Sequence, residues 1–436
     1  MNLSGYPYTD IRFDREGRVV DQKEVAAALA LAGNGITDLV VLSHGWNNDI
    51  AEAREGYTEL VASMRAVHDR VPGLAGRSIG LVGVLWPSKK FAEHDLIPGG
   101  AASLGVGADA DAVRAQLAEL CELWPDALAQ AAGLVDRLPD SPEAQRRFVE
   151  LVRSALPPDA AEEQDATDQL LTLDGAELLR RLSVPVAVPP PGGLGAAGDP
   201  RGSAAGRAWA GPGTAPGGAA GLLAPPGIFG AARNLLNLVT YYEMKARAGT
   251  VGQRGLAPLL GQILGRAATP RVHLAGHSFG ARLVTAAATQ RPARPLGTLT
   301  LLQAAFSHYG FADDWEPGKD GLFRGLVTGR HVAGPVLITH TANDKAVGIA
   351  YALASRIAGQ VAAAVGDAGD KYGALGRNGA QKTPEARFGR LQEVGAAYSW
   401  QPGRLHNLLA DAYIRSHSDY KGRQVAYALL HAVAST

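Results

Sequence analysis

Across 436 residues the chain carries one cysteine and three methionines, so sulfur does little of its work. Cys121 alone excludes an intrachain disulfide framework and argues against a cysteine-based zinc cluster, which fits a reducing compartment. Net charge is absent too: 42 basic residues face 42 acidic ones. No electrostatic footprint for nucleic acid or an anionic membrane follows from that balance. No uncharged apolar run is long enough to span a bilayer. The opening "MNLSGYPYTDIRFDREG" lacks the basic start and apolar core of a Sec leader. Neither G-x-x-x-x-G-K-[ST] nor H-E-x-x-H occurs. These absences lead to an expectation of a soluble, cytoplasmic protein with no metal and no cofactor.

What is present is a chain in which strands and helices alternate. "TDIRFDREGRVVD" (Thr9–Asp21) reads as a hairpin at a sheet edge, "KEVAAALALA" as a helix closed by Gly33, and "TDLVVLS" as a buried strand. A helix running to about Val67 and the strand "RSIGLVGVLWPS" follow. Further on come two amphipathic helices, "AARNLLNLVTYYEMKARAG" and "APLLGQILGRA", then the strands "VHLA", "LGTLTLLQAA" and "PVLITHT". An alanine-rich helix near Tyr351–Val365, a last strand near Leu405–Ile414 and a C-terminal helix complete the series. Alternation of this kind predicts an α/β protein with a doubly wound, mostly parallel sheet. Residues 1–87 and 231–436 would form it. Between them, 88–183 reads as a helical, cap-like insertion with helices near Ala110–Ala132 and Pro142–Ala155. Residues 184–230 read as a Gly/Pro-rich flexible loop, too poor in apolar groups to offset its conformational entropy. Gly193, Gly195 and Gly198 have dinucleotide-loop spacing but follow three prolines rather than a strand, and "EHD" at Glu93–Asp95 reads as a solvated loop.

Chemistry concentrates in "RVHLAGHSFGARLV", Arg271–Val284. A short strand gives way to a helix within a few residues, with Ser278 at the turn and glycines two positions away on each side. Such a turn crowds its flanks and lifts the hydroxyl clear of the sheet, the G-x-S-x-G elbow of a nucleophile. A serine attacking a carbonyl needs a base, and the base needs an acid. In a parallel sheet all three belong at the carboxyl ends of strands. Of eleven histidines, His417 lies in the polar loop "RSHSDY" between the last strand and the final helix. Asp344, just past "PVLITHT", is the favoured acid; Asp313 and Asp314 after the preceding strand are its rivals. The loop "HGWNND" is placed to supply the Trp46 N–H to an oxyanion, and Phe279, after the nucleophile, supplies a second. His44 and Trp86, each at the end of a neighbouring strand, are expected to contact substrate.

"SHGWNND", "GHSFG", "TANDKAV" and "SHSDY", in this order and spacing, resemble the α/β-hydrolase superfamily of serine esterases, lipases and related acyl hydrolases. The resemblance covers roughly residues 35–90 and 230–436. It implies Ser278 as nucleophile, Asp344 as acid, His417 as base, and the Trp46 and Phe279 amides as oxyanion hole. The implied activity is cleavage of a carboxylic ester, from a small molecule or a lipid, through an acyl-enzyme. The large insertion precedes the elbow, whereas caps in this superfamily often follow the strand after it. An acyltransferase, a secreted phospholipase-type toxin and a non-catalytic binding protein are the alternatives on the same fold.

Overall fold

The computed structural model describes residues 1–88, 110–121, 124–157, 168–183, 227–266, 270–344, 346, 357 and 371–436. The Gly/Pro-rich stretch Val184–Pro226, the Glu93–Asp95 loop and, apart from Ile357, the alanine-rich helix near Tyr351–Val365 lie outside these residues.

Among the described residues nine strands make one sheet: β1 (Asn2–Leu3), β2 (Tyr6–Arg12), β3 (Asp38–Ser43), β4 (Ile79–Leu85), β5 (Arg271–His277), β6 (Leu299–Leu302), β7 (Val336–His340), β8 (Ala386–Arg390) and β9 (Leu405–Leu409). Their order is β1-β2-β4-β3-β5-β6-β7-β9-β8. Every pairing is parallel except that of β1 with β2. The central strands are covered on both sides, which is why they read as continuous apolar runs. Leu39 and Val41 of β3 join one core with α1 (Gln22–Gly33), α8 (Ile228–Thr250) and α10 (Phe279–Thr289). Val40 and Leu42 face the other way, into a core with α2 (Ile50–Val67) and the C-terminal helix Arg423–Ala434.

This winding creates the place where a site can form. The chain leaves β3 through α2 to reach β4 on one side, and leaves β5 through α10 to reach β6 on the other. Neighbouring loops therefore part to opposite faces between β3 and β5, the switch point where open parallel sheets leave a crevice. Register aligns the carboxyl ends that border it: Ser43 pairs with Gly276, His277 with Leu302, Leu302 with Thr339, and His340 with Leu409.

Several boundaries differ from the sequence expectation. The edge hairpin is β1–β2; β2 lies parallel to β4, and the second run of Thr9–Asp21 contributes only the bridge Phe13↔Val19. The last strand stops at Leu409, and β8, a mostly exposed edge strand without an apolar pattern, was not foreseen. The helix expected over Ala110–Ala132 is two, α3 (Ala110–Leu120) and α4 (Pro125–Ala132), with Pro125 opening the second. α8 begins at Ile228, inside the segment read as loop, and continues into α9 (Ala257–Leu264) through a π-helical turn, Val251–Leu256. There α10 comes so close that a Cβ on Gly252 would lie 2.2 Å from the Leu283 carbonyl oxygen. α3, α5 (Pro142–Arg153) and α7 (Gly175–Leu182), with the short α6 (Asp168–Thr172) between the last two in sequence, find their partner surface on α8. Val113, Leu117, Phe148, Val152, Leu178 and Leu182 share one core with Leu235 and Leu236.

The amino edge of the sheet is charged and sealed. Asp38, fully buried, accepts hydrogen bonds from Arg77, Thr37 and His273 (Nε2, 3.1 Å). Burial alone would raise its carboxyl; the bonds from His273, Arg77 and Thr37 outweigh that and hold it below the usual carboxylate range. Arg77→Ala should remove about 3–5 kcal/mol of stability in urea unfolding, because the buried Asp38 carboxylate loses its closest cation and keeps only Thr37, His273 and Arg271 at 3.8 Å. Pairing it with Asp38→Asn should recover a large part; equal losses in single and double variants would contradict this account.

Candidate active site

Ser278 sits between β5 and α10 with φ 56° and ψ −122°. For a residue with a Cβ this conformation carries strain of about 1–3 kcal/mol, and it persists only where surroundings impose it. Here the imposition is visible. The Ser278 N–H donates to the Leu302 carbonyl at 3.0 Å, while its own carbonyl accepts from Ala281 N (3.1 Å) and Ala305 N (3.2 Å). The flanking glycines are required by backbone contact: a Cβ on Gly276 would lie 2.3 Å from the Gly280 oxygen, and one on Gly280 would lie 2.3 Å from the His44 oxygen. The serine is 5% exposed and lies just before the free N–H groups of α10, which favour negative charge.

The candidate acid and base arrive from two other strand ends. His417 Nδ1 lies 2.8 Å from Asp344 Oδ2, with Asp344 fully buried and the histidine side chain 17% exposed. A carboxylate only accepts, so Nδ1 carries the proton in the neutral ring and Nε2 is left basic. The Asp344 and His417 loops are stitched together by Asn343, whose amide donates to the carbonyls of Ile414 (2.9 Å) and Asp411 (3.1 Å). The ring of His417 reaches the elbow, its centroid 4.7 Å from that of His277, the residue before the serine. The rival acids are employed elsewhere. Asp313 lies 3.8 Å from Arg324, and Asp314 caps a turn by accepting from Gly318 N at 2.6 Å.

The loop after β3 closes against the elbow, where a Cβ on Gly45 would stand 2.8 Å from Ser278 Cβ. Its shape is set by groups that the sequence did not single out. Asn48 Nδ2 donates to the carbonyls of Gly45 and Trp46, and Asn47 N donates to Ser88 O. A capping box of Asp49 and Glu52 then starts α2. The Trp46 ring packs 5.9 Å from Phe279 and 6.4 Å from Tyr241 of α8. His44 and Trp86, expected at the substrate surface, are 3% and 4% exposed and stack on each other at 5.6 Å. Trp86 donates its backbone N–H to His44 Nε2 (3.2 Å) and its indole N–H to the His44 carbonyl (3.0 Å). They bind this loop to β4. Burial lowers the His44 pKa to about 4. His340 is lowered likewise to about 4, and His277 well below its ordinary value, both chiefly by burial.

Among the described residues no group of three or more His, Cys, Asp or Glu is placed to hold a metal ion, and no helix is long and apolar enough to cross a membrane. Comparison with protein-family models, with curated proteins and with solved structures gives no match for the chain.

Two outcomes follow from this geometry. Gly45→Ala should force the loop off the elbow, lowering stability by about 1–3 kcal/mol and slowing modification of Ser278 by an electrophilic probe. Unchanged labelling kinetics would show that the contact is dispensable. Separately, an unfolded chain takes up protons near pH 6.5 that buried His44, His277 and His340 refuse. Stability is therefore fully present above about pH 6.5 and should decline as pH falls toward 4. Urea midpoints measured across that range should show the slope, and His44→Gln should flatten it.

Proposed function

We propose that this chain is a serine hydrolase of the α/β-hydrolase type that cleaves carboxylic esters, from small molecules or lipids, through an acyl-enzyme. The observation that carries the reading is the 2.8 Å contact of His417 Nδ1 with buried Asp344, with the His417 ring 4.7 Å from His277, the residue before strained Ser278. The four sequence motifs and the mostly parallel sheet support it.

In this reading Ser278 Oγ attacks the ester carbonyl carbon as its proton passes to His417 Nε2. Asp344 holds the ring in the required tautomer and stabilises the imidazolium. The carbonyl π pair moves to oxygen, and the oxyanion accepts from the Phe279 and Trp46 N–H groups. On collapse the C–O bond to the alcohol breaks, and His417 returns its proton to the leaving oxygen. Water then repeats the sequence on the acyl-enzyme, releasing the acid and restoring Ser278. His44, Trp86 and Asn48 serve by fixing the loop that presents the Trp46 amide.

A fluorophosphonate probe should label Ser278 covalently, and Ser278→Ala should abolish that labelling. Either Ser278→Ala or His417→Ala should lower kcat for a p-nitrophenyl ester by about three to six orders of magnitude, with the double variant scarcely worse. Asp344→Asn should lower it by about four orders, through the wrong tautomer. Replacing Asp313 and Asp314 together by Asn should do much less. A folded Ser278→Ala protein that keeps its activity would refute the assignment.

A further inference from the structure

His277 is given over neither to the core nor to the reaction just described. It precedes the nucleophile, yet its side chain turns from Ser278 toward the loop that carries the base. Its Nε2 lies 2.8 Å from the His417 carbonyl oxygen. A carbonyl only accepts, so Nε2 must bear the proton. The ring is held in the orientation that makes this bond. Tyr420, three residues beyond His417, stacks on it with centroids 3.9 Å apart and planes 15° apart. Gly45 closes the other side, where a Cβ would stand 2.9 Å from His277 Nδ1. At 7% exposure the ring has little freedom to leave.

The tether has a counterpart. Asn343 grips the same loop from the acid side, through the carbonyls of Asp411 and Ile414. The loop after β9 is thus held from the segment that carries Asp344, where Thr341 and Ala342 also bond Asp411, and through His277 from the strand that leads to Ser278.

We propose that His277 is a positioning residue, whose Nε2–H fixes the backbone of His417 so that the base stays aligned between Asp344 and Ser278. The inference rests on the reading of His417 as general base. Misplacement of a catalytic group by about 1 Å can cost on the order of a hundredfold in rate, so a single tether at this point has leverage.

Two variants of the full chain test it, because they differ in where the donor sits. Gln places its amide nitrogen near the position of His Nε2, whereas Asn places it near Nδ1, short of the carbonyl. His277→Asn should lower kcat on p-nitrophenyl acetate by about 10- to 100-fold with KM nearly unchanged. It should also weaken the downfield proton signal of His417 Nδ1 bonded to Asp344. His277→Gln should restore both, to within about threefold of wild-type kcat. Wild-type kcat and signal in His277→Asn would overturn the proposal, as would equal losses in the two variants. If the wild type takes up no fluorophosphonate and cleaves no ester, the hydrolase reading fails by itself. The proton signal still judges the tether in that case: loss in the Asn variant with retention in the Gln variant upholds it, and retention in both overturns it.

Discussion

The site depends on one close approach of backbone to backbone. The end of β3 and the turn after β5 pack so tightly that Gly280 lies against the carbonyls of Ser43 and His44, and Gly45 lies against Ser278. Side chains at any of these points would separate the two strand ends. Their contact fixes where the loop after β3 stands relative to Ser278. In the proposed reaction, a relation set in advance is what lets backbone N–H groups stabilise an oxyanion without reorganising. The strained φ of Ser278 is a consequence of the same packing, held by bonds to β6 and to the loop beyond it.

The winding of the sheet explains why groups so far apart in sequence meet there. Ser278, Asp344 and His417 follow β5, β7 and β9, whose carboxyl ends lie in register through β6. The opposite edge has a different character. There Arg77 neutralises Asp38, which also accepts from His273, in a network that reaches the C-terminal helix through the Val433 carbonyl. One edge stores strain and the other anchors the fold.

Legibility in the sequence followed how local each determinant is. The mostly parallel sheet could be read because strands buried on both faces must be apolar throughout, as in "DLVVLS". Ser278 could be read because the steric demands of its turn fall within five residues. Asp344 and His417 stand out in the sequence as polar residues that follow strands, and the structure brings those two into contact. β8 escaped because its burial pattern is that of an exposed edge and carries no period. The direction of the His277 side chain is not legible, because it is decided by Tyr420 and a carbonyl 140 residues away. His44 and Trp86 look like pocket residues in sequence because they end strands; only the structure shows their polar atoms bonded to each other.

The wide turn joining α8 to α9 behaves as a dislocation in an otherwise regular ladder of hydrogen bonds. A surplus residue of this kind has no means of healing in place; it can only glide toward a helix end, shifting which residues occupy each position as it moves. Here glide is blocked. Gly252 stands where the turn meets α10, and either adjacent residue, Val251 or Gln253, moved into its place would drive a Cβ into the Leu283 carbonyl. The defect is therefore pinned, and it acts as a dowel. It locks the long helix, on which the 110–182 helices rest, to the register of the helix that begins immediately after Ser278.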